Sequence, residues 1–147
     1  MTIEDRAVDS TRAHAAKNAR EYLESNGQVV DHPAVGHLIL LYTTGRLSGQ
    51  IRRTPLRYFE DAGGMLVAAS YGGSSQQPDW YLNLVADPQV WVRHNADFYK
   101  AEAVALEGEE RDRLWESVVV AEAPRFAEYQ AQTDRVIPVI RLVPAGR

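Results

Sequence analysis

The sequence predicts a mainly β fold of the α+β class: a small barrel of about six strands with flanking helices. Apolar runs of strand length recur along the chain, beginning at residues 35–42. Turn residues separate such runs, as in Asp61-Ala62-Gly63-Gly64. Helical patterns are few, which disfavours a parallel doubly wound sheet. With 147 residues, the chain is most simply one domain.

The N-terminal stretch, residues 2–25, is predicted as one polar helix, and Asn26-Gly27 is a favourable helix stop. Its apolar face is thin and dominated by alanine. We therefore expect it to dock loosely on the barrel or on a partner subunit. This divides the chain into a helical segment, residues 1–27, and a barrel domain, residues 28–147.

The barrel domain contains the remaining predicted elements. Its apolar patterns predict strands at residues 35–42, 53–60, 65–70, 89–94, 98–106 and 137–143. A short helix begins at Pro78, whose missing N–H costs nothing in a first turn, and stops at Asp87-Pro88. An amphipathic helix follows at residues 109–121 and a short helix or turn at residues 124–133.

Composition excludes several classes of function. A formal net charge of −4 disfavours a general nucleic-acid binder, which is normally basic. No apolar run approaches the roughly 18 residues that cross a bilayer, and the N-terminus lacks the order of a secretory signal. The absence of cysteine rules out disulfides and thiol catalysis and fits a cytoplasmic location. The four histidines show no metal-ligand spacing, so we expect no metal site.

The connector after the first predicted strand is the best candidate for a ligand site. It brings Arg46, Ser48, Gly49, Arg52 and Arg53 together in one short polar stretch. Backbone N–H groups, a hydroxyl and guanidinium forks are the donors that hold a phosphate or a carboxylate. The alternative is a solvated hairpin with its arginines in water, and this stretch alone does not separate the two.

Four blocks follow one another along the chain: TTGRLSGQIRRTPL, VAASYGGS, PDWYLNLVADP and FAEYQAQTDRVIPV. In this order and spacing they resemble the deazaflavin-dependent nitroreductase family, whose members use reduced coenzyme F(420). The resemblance covers about residues 36–144. It implies a split β-barrel with helices packed around it, like that of flavin-mononucleotide oxidoreductases.

The resemblance implies that the first block binds the phosphate and tail of the deazaflavin. The residues that take this role are Arg46, Leu47, Ser48, Gly49, Arg52, Arg53, Thr54 and Pro55. One position departs, because the family usually has a lysine where this chain has Leu47. An extra arginine, Arg53, stands beside Arg52 and is the candidate to compensate for the lost cation.

The second block, Ala68-Ala69-Ser70-Tyr71, is implied to bond the edge of the flat ring through backbone amides. Family members often carry a lysine at the position of Tyr71, so a second cation is missing. The alternative interpretation is a loose surface loop.

The third block resembles a helix that lies beside the cofactor, with Trp80, Tyr81 and Asn83 as its implied contacts. We expect Trp80 and Asn83 near the ligand. Tyr81 is expected in the core, because Trp and Tyr at helical spacing are more often core residues than cofactor contacts.

The fourth block carries Phe126 and Tyr129, which the resemblance places in the substrate pocket with Trp80. Phe126 stands where a nitroreductase has a tyrosine that hydrogen-bonds its substrate. Phenylalanine has no proton to donate, so nitro reduction is not carried over. Tyr129 becomes the candidate catalytic acid; the alternative is packing at the barrel mouth with its hydroxyl in water.

These features predict an oxidoreductase that transfers a hydride from reduced coenzyme F(420) to a quinone, enone or nitroaromatic. Three alternatives stay open: a flavin-mononucleotide (FMN) reductase of the same fold, a non-catalytic deazaflavin-binding protein, and a barrel that pairs with another subunit and binds nothing. We expect a small-molecule substrate, no nucleic acid and no integral membrane segment, and leave a homodimer open.

Overall fold

Eight strands form one sheet in the computed structural model, which describes residues 2–145. In chain order they are β1 (Val8–Asp9), β2 (Leu38–Thr44), β3 (Ile51–Arg57), β4 (Phe59–Asp61), β5 (Gly64–Ala68), β6 (Gln89–His94), β7 (Asp97–Ala105) and β8 (Val139–Pro144). Their order across the sheet is β1-β3-β2-β6-β7-β8-β5-β4. The β1–β3 pair is parallel and the other pairs are antiparallel.

The connection from β3 to β4 shows how this sheet closes. β3 ends at Arg57 and β4 begins at Phe59, so Tyr58 alone joins two strands that lie near opposite ends of the sheet. The sheet must curl until those ends approach each other, which makes a barrel. Since β3 pairs with β1 and β2 and not with β4, the barrel is split at this seam. The predicted mainly β split barrel is confirmed.

Helices cover the barrel and connect its strands. They are α1 (Ile3–Arg6), α2 (Ala13–Ser25), α3 (Asp79–Ala86), α4 (Gly108–Leu114) and α5 (Arg125–Ala131). A 3₁₀ turn occupies Tyr71–Gly73, and α4 continues as a π-helical stretch, Trp115–Val120. The predicted helix over residues 109–121 is therefore α-helical as far as Leu114, π-helical from Trp115 to Val120 and α-helical again at Ala121.

The prediction of one loosely docked N-terminal helix is wrong. The segment holds α1, then β1 paired with β3, and only then α2. Tyr22 of α2 is fully buried; its hydroxyl donates to the Leu38 carbonyl at 3.0 Å and accepts from the Asn95 N–H at 2.7 Å. Tyr22, an aromatic residue whose hydroxyl is fully hydrogen-bonded, thus anchors α2 on the barrel, although the alanines of this helix bury little apolar surface. Of the predicted ranges 1–27 and 28–147, residues 1, 146 and 147 lie outside the described residues.

The predicted strand over residues 53–60 is also wrong as a single element. The chain turns at Tyr58, whose N–H donates to the His37 carbonyl at 2.9 Å. Leu56, on β3, packs against the core inside the barrel, whereas Phe59, on β4, packs in a second cluster against α4 and α5. Two different cores therefore receive the two halves of this apolar stretch.

Strand β2 separates two layers of core. Ile39 and Leu41 point into the barrel, whereas Leu40 and Tyr42 point toward α2. Burial on both faces explains why this strand is a continuous apolar run. Burial also raises the pKa of the Tyr42 hydroxyl to about 12. The same alternation decides which face each residue of the neighbouring β3 joins.

Candidate functional site

A cavity of about 890 Å³ lies beside the end of β2. Its walls come from five parts of the chain: the N-terminal segment, His32 between α2 and β2, the end of β2 with the connector and β3, the end of β5 with the loop after it, and the start of α3. The predicted cofactor residues that line it are Arg46, Leu47, Ser48, Arg52, Arg53, Thr54, Pro55, Ala68, Ser70, Tyr71, Trp80 and Asn83. The structure thus brings three of the four sequence blocks to one cavity.

The connector between β2 and β3, residues 45–50, is a tight turn fastened at its base. The Gly45 N–H donates to the Gln50 carbonyl at 2.7 Å, and the Gly49 N–H donates to the Gly45 carbonyl at 2.8 Å. A Cβ on Gly45 would lie 2.7 Å from Ser48 Oγ, so the turn needs glycine there. Gly49 closes the turn and is not part of the cavity lining.

Asn83 of α3 holds Arg46 against this turn. The Asn83 Oδ1 atom accepts from the Arg46 backbone N–H at 3.1 Å and from its Nη1 at 2.9 Å. The Asn83 Nδ2 atom donates to Thr43 Oγ1 at 3.2 Å, and both side chains are buried. A neutral side chain thereby fixes the guanidinium without cancelling its charge. The Asp79 carboxylate lies 3.4 Å from Arg46 Nη2 but is 88% exposed, so the pair is weak.

Arg52 and Arg53 differ in their partners, because side chains of successive strand residues point to opposite faces of the sheet. Arg52 stands opposite Thr43 on the face that continues into the cavity. Among residues 2–145 its guanidinium has no hydrogen-bond or ion-pair partner. Arg53 stands opposite Tyr42, and its Nε bonds the Asp9 carboxylate, which raises the pKa of Arg53. Arg53 also lines the cavity, but its charge is already paired with Asp9; the expectation that it replaces the cation missing at Leu47 stays a prediction.

The loop after β5 turns sharply at Tyr71, Gly72 and Gly73, whose φ angles are 46°, 63° and 85°. Tyr71 has a side chain in the left-handed region, which is costly for a residue other than glycine, asparagine or aspartate. A Cβ on Gly73 would lie 2.9 Å from the Tyr129 carbonyl oxygen, so α5 packs directly on this turn. The alternative of a loose surface loop does not describe it.

Arg135 organises this loop, and the sequence interpretation missed it. Its guanidinium donates to the carbonyls of Ala69, Ser70 and Ser74 at 3.0, 2.8 and 2.9 Å, and to Gln77 Oε1 at 2.8 Å. Burial lowers its pKa. The sequence gives only a weak signal for this role: an arginine just before the apolar start of β8, within the fourth block.

The N-terminal segment supplies a wall that the sequence did not predict. Ser10, Thr11 and Arg12 line the cavity, and the Arg12 guanidinium lies 5.3 Å from the centre of the Tyr71 ring. His32 also lines it; its Nδ1 accepts from the Ala34 N–H at 2.9 Å, and burial lowers its pKa. No local pattern marks these residues, because they reach the cavity only through tertiary packing.

The structure does not bring Phe126 and Tyr129 to this cavity lining. Phe126 is 7% exposed and packs edge-to-face against Phe59, Trp115 and Tyr129. Tyr129 contacts the back of the Gly73 turn through its backbone. Their proposed roles in the substrate pocket and as an acid stay predictions. Ala69 and Tyr81 also lie outside the lining, in or against the barrel core.

No helix in residues 2–145 is both long and apolar enough to span a bilayer. Within the same range, no three His, Cys, Asp or Glu side chains gather as a metal site. The expected cytoplasmic location stays a prediction.

A split barrel whose connector presents guanidinium groups to a cavity, with an indole at its side, is suited to an anionic ligand with a planar ring. The chain belongs to the F420H(2)-dependent quinone reductase family, whose sequence profile matches residues 14–144. This family membership confirms the resemblance to coenzyme F(420)-dependent enzymes and the predicted enzyme class and cofactor. It favours the deazaflavin over the FMN alternative.

Individual relatives agree with this assignment. The chain is 36% identical over 124 residues to an F420H(2)-dependent quinone reductase of Mycobacterium tuberculosis (strain ATCC 25618 / H37Rv), across 82% of this chain and 83% of the relative. A solved F420-H2 dependent reductase, FDR-A, is 40% identical with a TM-score of 0.65, across 72% of this chain and 93% of that one. Another solved structure, a domain-swapped dimer, is 36% identical with a TM-score of 0.67, across 84% and 93%.

Proposed function

We propose that this chain transfers a hydride from reduced coenzyme F(420) to a quinone, with the cavity beside the β2–β3 connector as its active site. One observation carries the proposal: Arg52, a charged side chain without a protein partner among residues 2–145, faces the same cavity as Arg46 and Trp80. A guanidinium that the fold leaves unpaired at a concave site is suited to an anionic ligand.

Arg46 and Arg52 are the residues that would hold the phosphate-containing tail. Arg46 is held in place by Asn83 and contributes donors that need no further ordering. Arg52 sits on a strand, so its backbone is equally fixed. Ser48 adds a hydroxyl at the same end of the cavity. These three side chains fit an anionic group, and their fit does not depend on Leu47.

Trp80 and the loop at Ala68, Ser70 and Tyr71 are the residues that would border the ring. When bound, the reduced deazaflavin supplies a hydride, which is a proton with two electrons. The chain orients the acceptor against that ring. We take water as the proton source for the product, since Tyr129 does not line the cavity.

The decisive experiment compares Arg52→Ala with Arg53→Ala. The first removes the unpaired cation, so we expect the Kd for coenzyme F(420) to rise about tenfold to a hundredfold, the value of one or two charge-assisted hydrogen bonds. The second removes a cation that also lines the cavity but is already paired with Asp9, so it should lower the melting temperature while changing the Kd for the cofactor far less. Fluorescence titration and thermal unfolding measure the two effects.

Equal losses of affinity in the two variants would show that this face of β3 does not select the tail. Binding of the wild-type chain without turnover of menadione would instead support the non-catalytic alternative. Wild-type protein that does not bind the cofactor at micromolar concentration would refute the proposed function altogether.

We also propose that residues 28–147 form the cofactor-binding domain, to which the N-terminal segment adds one wall of the cavity, and that the chain forms a homodimer. The domain-swapped dimer of a relative that is 36% identical supports the second point. Light scattering coupled to size-exclusion chromatography tests it: a mass of one chain at all concentrations would reject the dimer.

A further inference from the structure

Residues 10–12 form part of the cavity wall, and the register of β1 on β3 fixes their position along it. Val8 pairs with Arg52 and Asp9 with Arg53 in a parallel register. Because β1 runs parallel to β3, residues 10–12 run in the direction of Thr54 and onward, away from the connector at residues 45–50. Arg12 therefore lies toward the end of the cavity opposite the predicted tail site.

The N-terminal segment is fastened on both sides of this crossing. Before it, Glu4 accepts from Arg93 Nη1 at 2.6 Å and Asp9 accepts from Arg53. After it, α2 is anchored through the buried Tyr22. Arg12 immediately precedes α2, and its N–H donates to Ser10 Oγ at 3.1 Å. The backbone of Arg12 is thus placed by several contacts, although its side chain is exposed.

The Arg12 guanidinium rests on the ring of Tyr71, 5.3 Å from its centre. Tyr71 itself is held in a left-handed conformation by the turn that Arg135 and α5 support. Among residues 2–145, Arg12 has no carboxylate partner. Arg12 is therefore a cation that contacts an aromatic ring and has no counter-ion among the described residues. It lines the cavity beside Tyr71, the position where family members often carry a lysine.

Hydride transfer creates a need for such a cation. A hydride carries two electrons and one proton, so a neutral quinone becomes the hydroquinone monoanion while the deazaflavin is oxidised by two electrons. A proton from water then gives the hydroquinone. Negative charge that develops on the acceptor oxygen is stabilised by a positive group already in place. Resting on the proposed function, we propose that Arg12 is a catalytic residue that binds this acceptor oxygen.

The test compares Arg12→Ala, Arg12→Lys and the matched control Arg20→Ala, an exposed arginine on α2 outside the cavity lining. Each protein is saturated with oxidised coenzyme F(420) and titrated with 2-hydroxy-1,4-naphthoquinone, which is anionic at neutral pH, and with neutral menadione. Steady-state kinetics with reduced cofactor and menadione, cofactor titration and thermal melts complete the set.

For Arg12→Ala we expect the Kd for the anionic probe to rise about tenfold and kcat/KM for menadione to fall about tenfold. The Kd values for menadione and for the cofactor should change less than about twofold, since Arg12 lies away from the tail site. Arg12→Lys should retain part of the effect, and Arg20→Ala should match the wild type.

Two outcomes would overturn the inference while leaving the proposed function standing. In one, Arg12→Ala binds the anionic probe and turns over menadione as the wild type does. In the other, the variant loses affinity for the cofactor and not for the probe, which assigns Arg12 to the tail. Failure of the wild-type chain to bind the cofactor would defeat the proposed function, and this inference with it.

Discussion

Two loops line the cavity, and each is held by one side chain from a distant element. Asn83 holds the connector at residues 45–50, and Arg135 holds the loop at residues 69–74. Asn83 is neutral, so the charge of Arg46 stays available to a ligand. Arg135 is charged, but its donors go to four protein oxygens. The number of arginines near a cavity therefore does not give the charge that a ligand meets; the partners of each one decide it.

The largest effect that this comparison predicts comes from Arg135→Ala. The change leaves the carbonyls of Ala69 and Ser74 without a donor and the Ser70 carbonyl with only the Gly73 N–H, so we expect a loss of roughly 3 kcal/mol in the free energy of unfolding. Urea denaturation measures the loss. Arg135→Lys keeps one charge but not the fork and should lose about half as much. A loss below about 1 kcal/mol in the alanine variant would mean that the loop holds its shape without Arg135.

The second prediction compares the stability losses of two glycine substitutions in the same loop. It separates the effect of close packing around a Cβ from the effect of a left-handed backbone conformation. Gly73→Ala places a Cβ against the backbone of Tyr129 at a φ of 85°, so we expect a loss of roughly 2 to 3 kcal/mol. Gly72→Ala has a φ of 63° but open space around its Cβ, and it should cost about 1 kcal/mol. Thermal unfolding of the pair gives the difference, and equal losses would contradict the close packing of α5 on this turn.

The sequence predicted one loop of this pair much better than the other. Arg46, Arg52 and Asn83 fall in blocks with their own local pattern, and they lie together. Arg135 and β1 have no such pattern, because their roles arise from contacts with residues far away in the chain. The pairing of Arg53 with Asp9 also arises from a contact far away in the chain. The predicted strand began at residue 53, whereas β3 begins at Ile51, so strand alternation could not be used to separate Arg52 from Arg53.

The third effect concerns the connector. Asn83→Ala removes three hydrogen bonds from a buried position, and we expect a loss of about 2 kcal/mol in stability together with weaker cofactor binding. Asn83→Asp keeps the acceptor for Arg46 but adds a negative charge beside it. We expect the aspartate variant to bind coenzyme F(420) no better than the alanine variant while being more stable. Tighter cofactor binding by Asn83→Asp would contradict a role for free positive charge at Arg46.

The smallest expected effect is a gain in affinity for the cofactor. Leu47 is 91% exposed and lines the cavity, so Leu47→Lys adds a cation without disturbing packing. We expect the Kd for the cofactor to fall about threefold at low salt, with the gain shrinking as ionic strength rises. Stability should stay within about 0.5 kcal/mol of the wild type. An unchanged Kd at low salt would place the anionic tail away from this end of the connector.

The strand pairs that support the two loops differ in how much chain they enclose. Thr44 pairs with Ile51, whereas Ala68 pairs with Val139. Closing a short hairpin costs less entropy than closing a long loop and takes less time. During folding, amides in the β2–β3 ladder should thus gain protection from hydrogen exchange before those in the ladder that β5 shares with β8. The other edge of β5 pairs with β4 in a short hairpin and is not delayed in this way. On the proposed function, the side that binds the anionic tail would be built from a short-range strand pair, whereas the side that receives the acceptor would be complete only when the last strand, β8, pairs with β5.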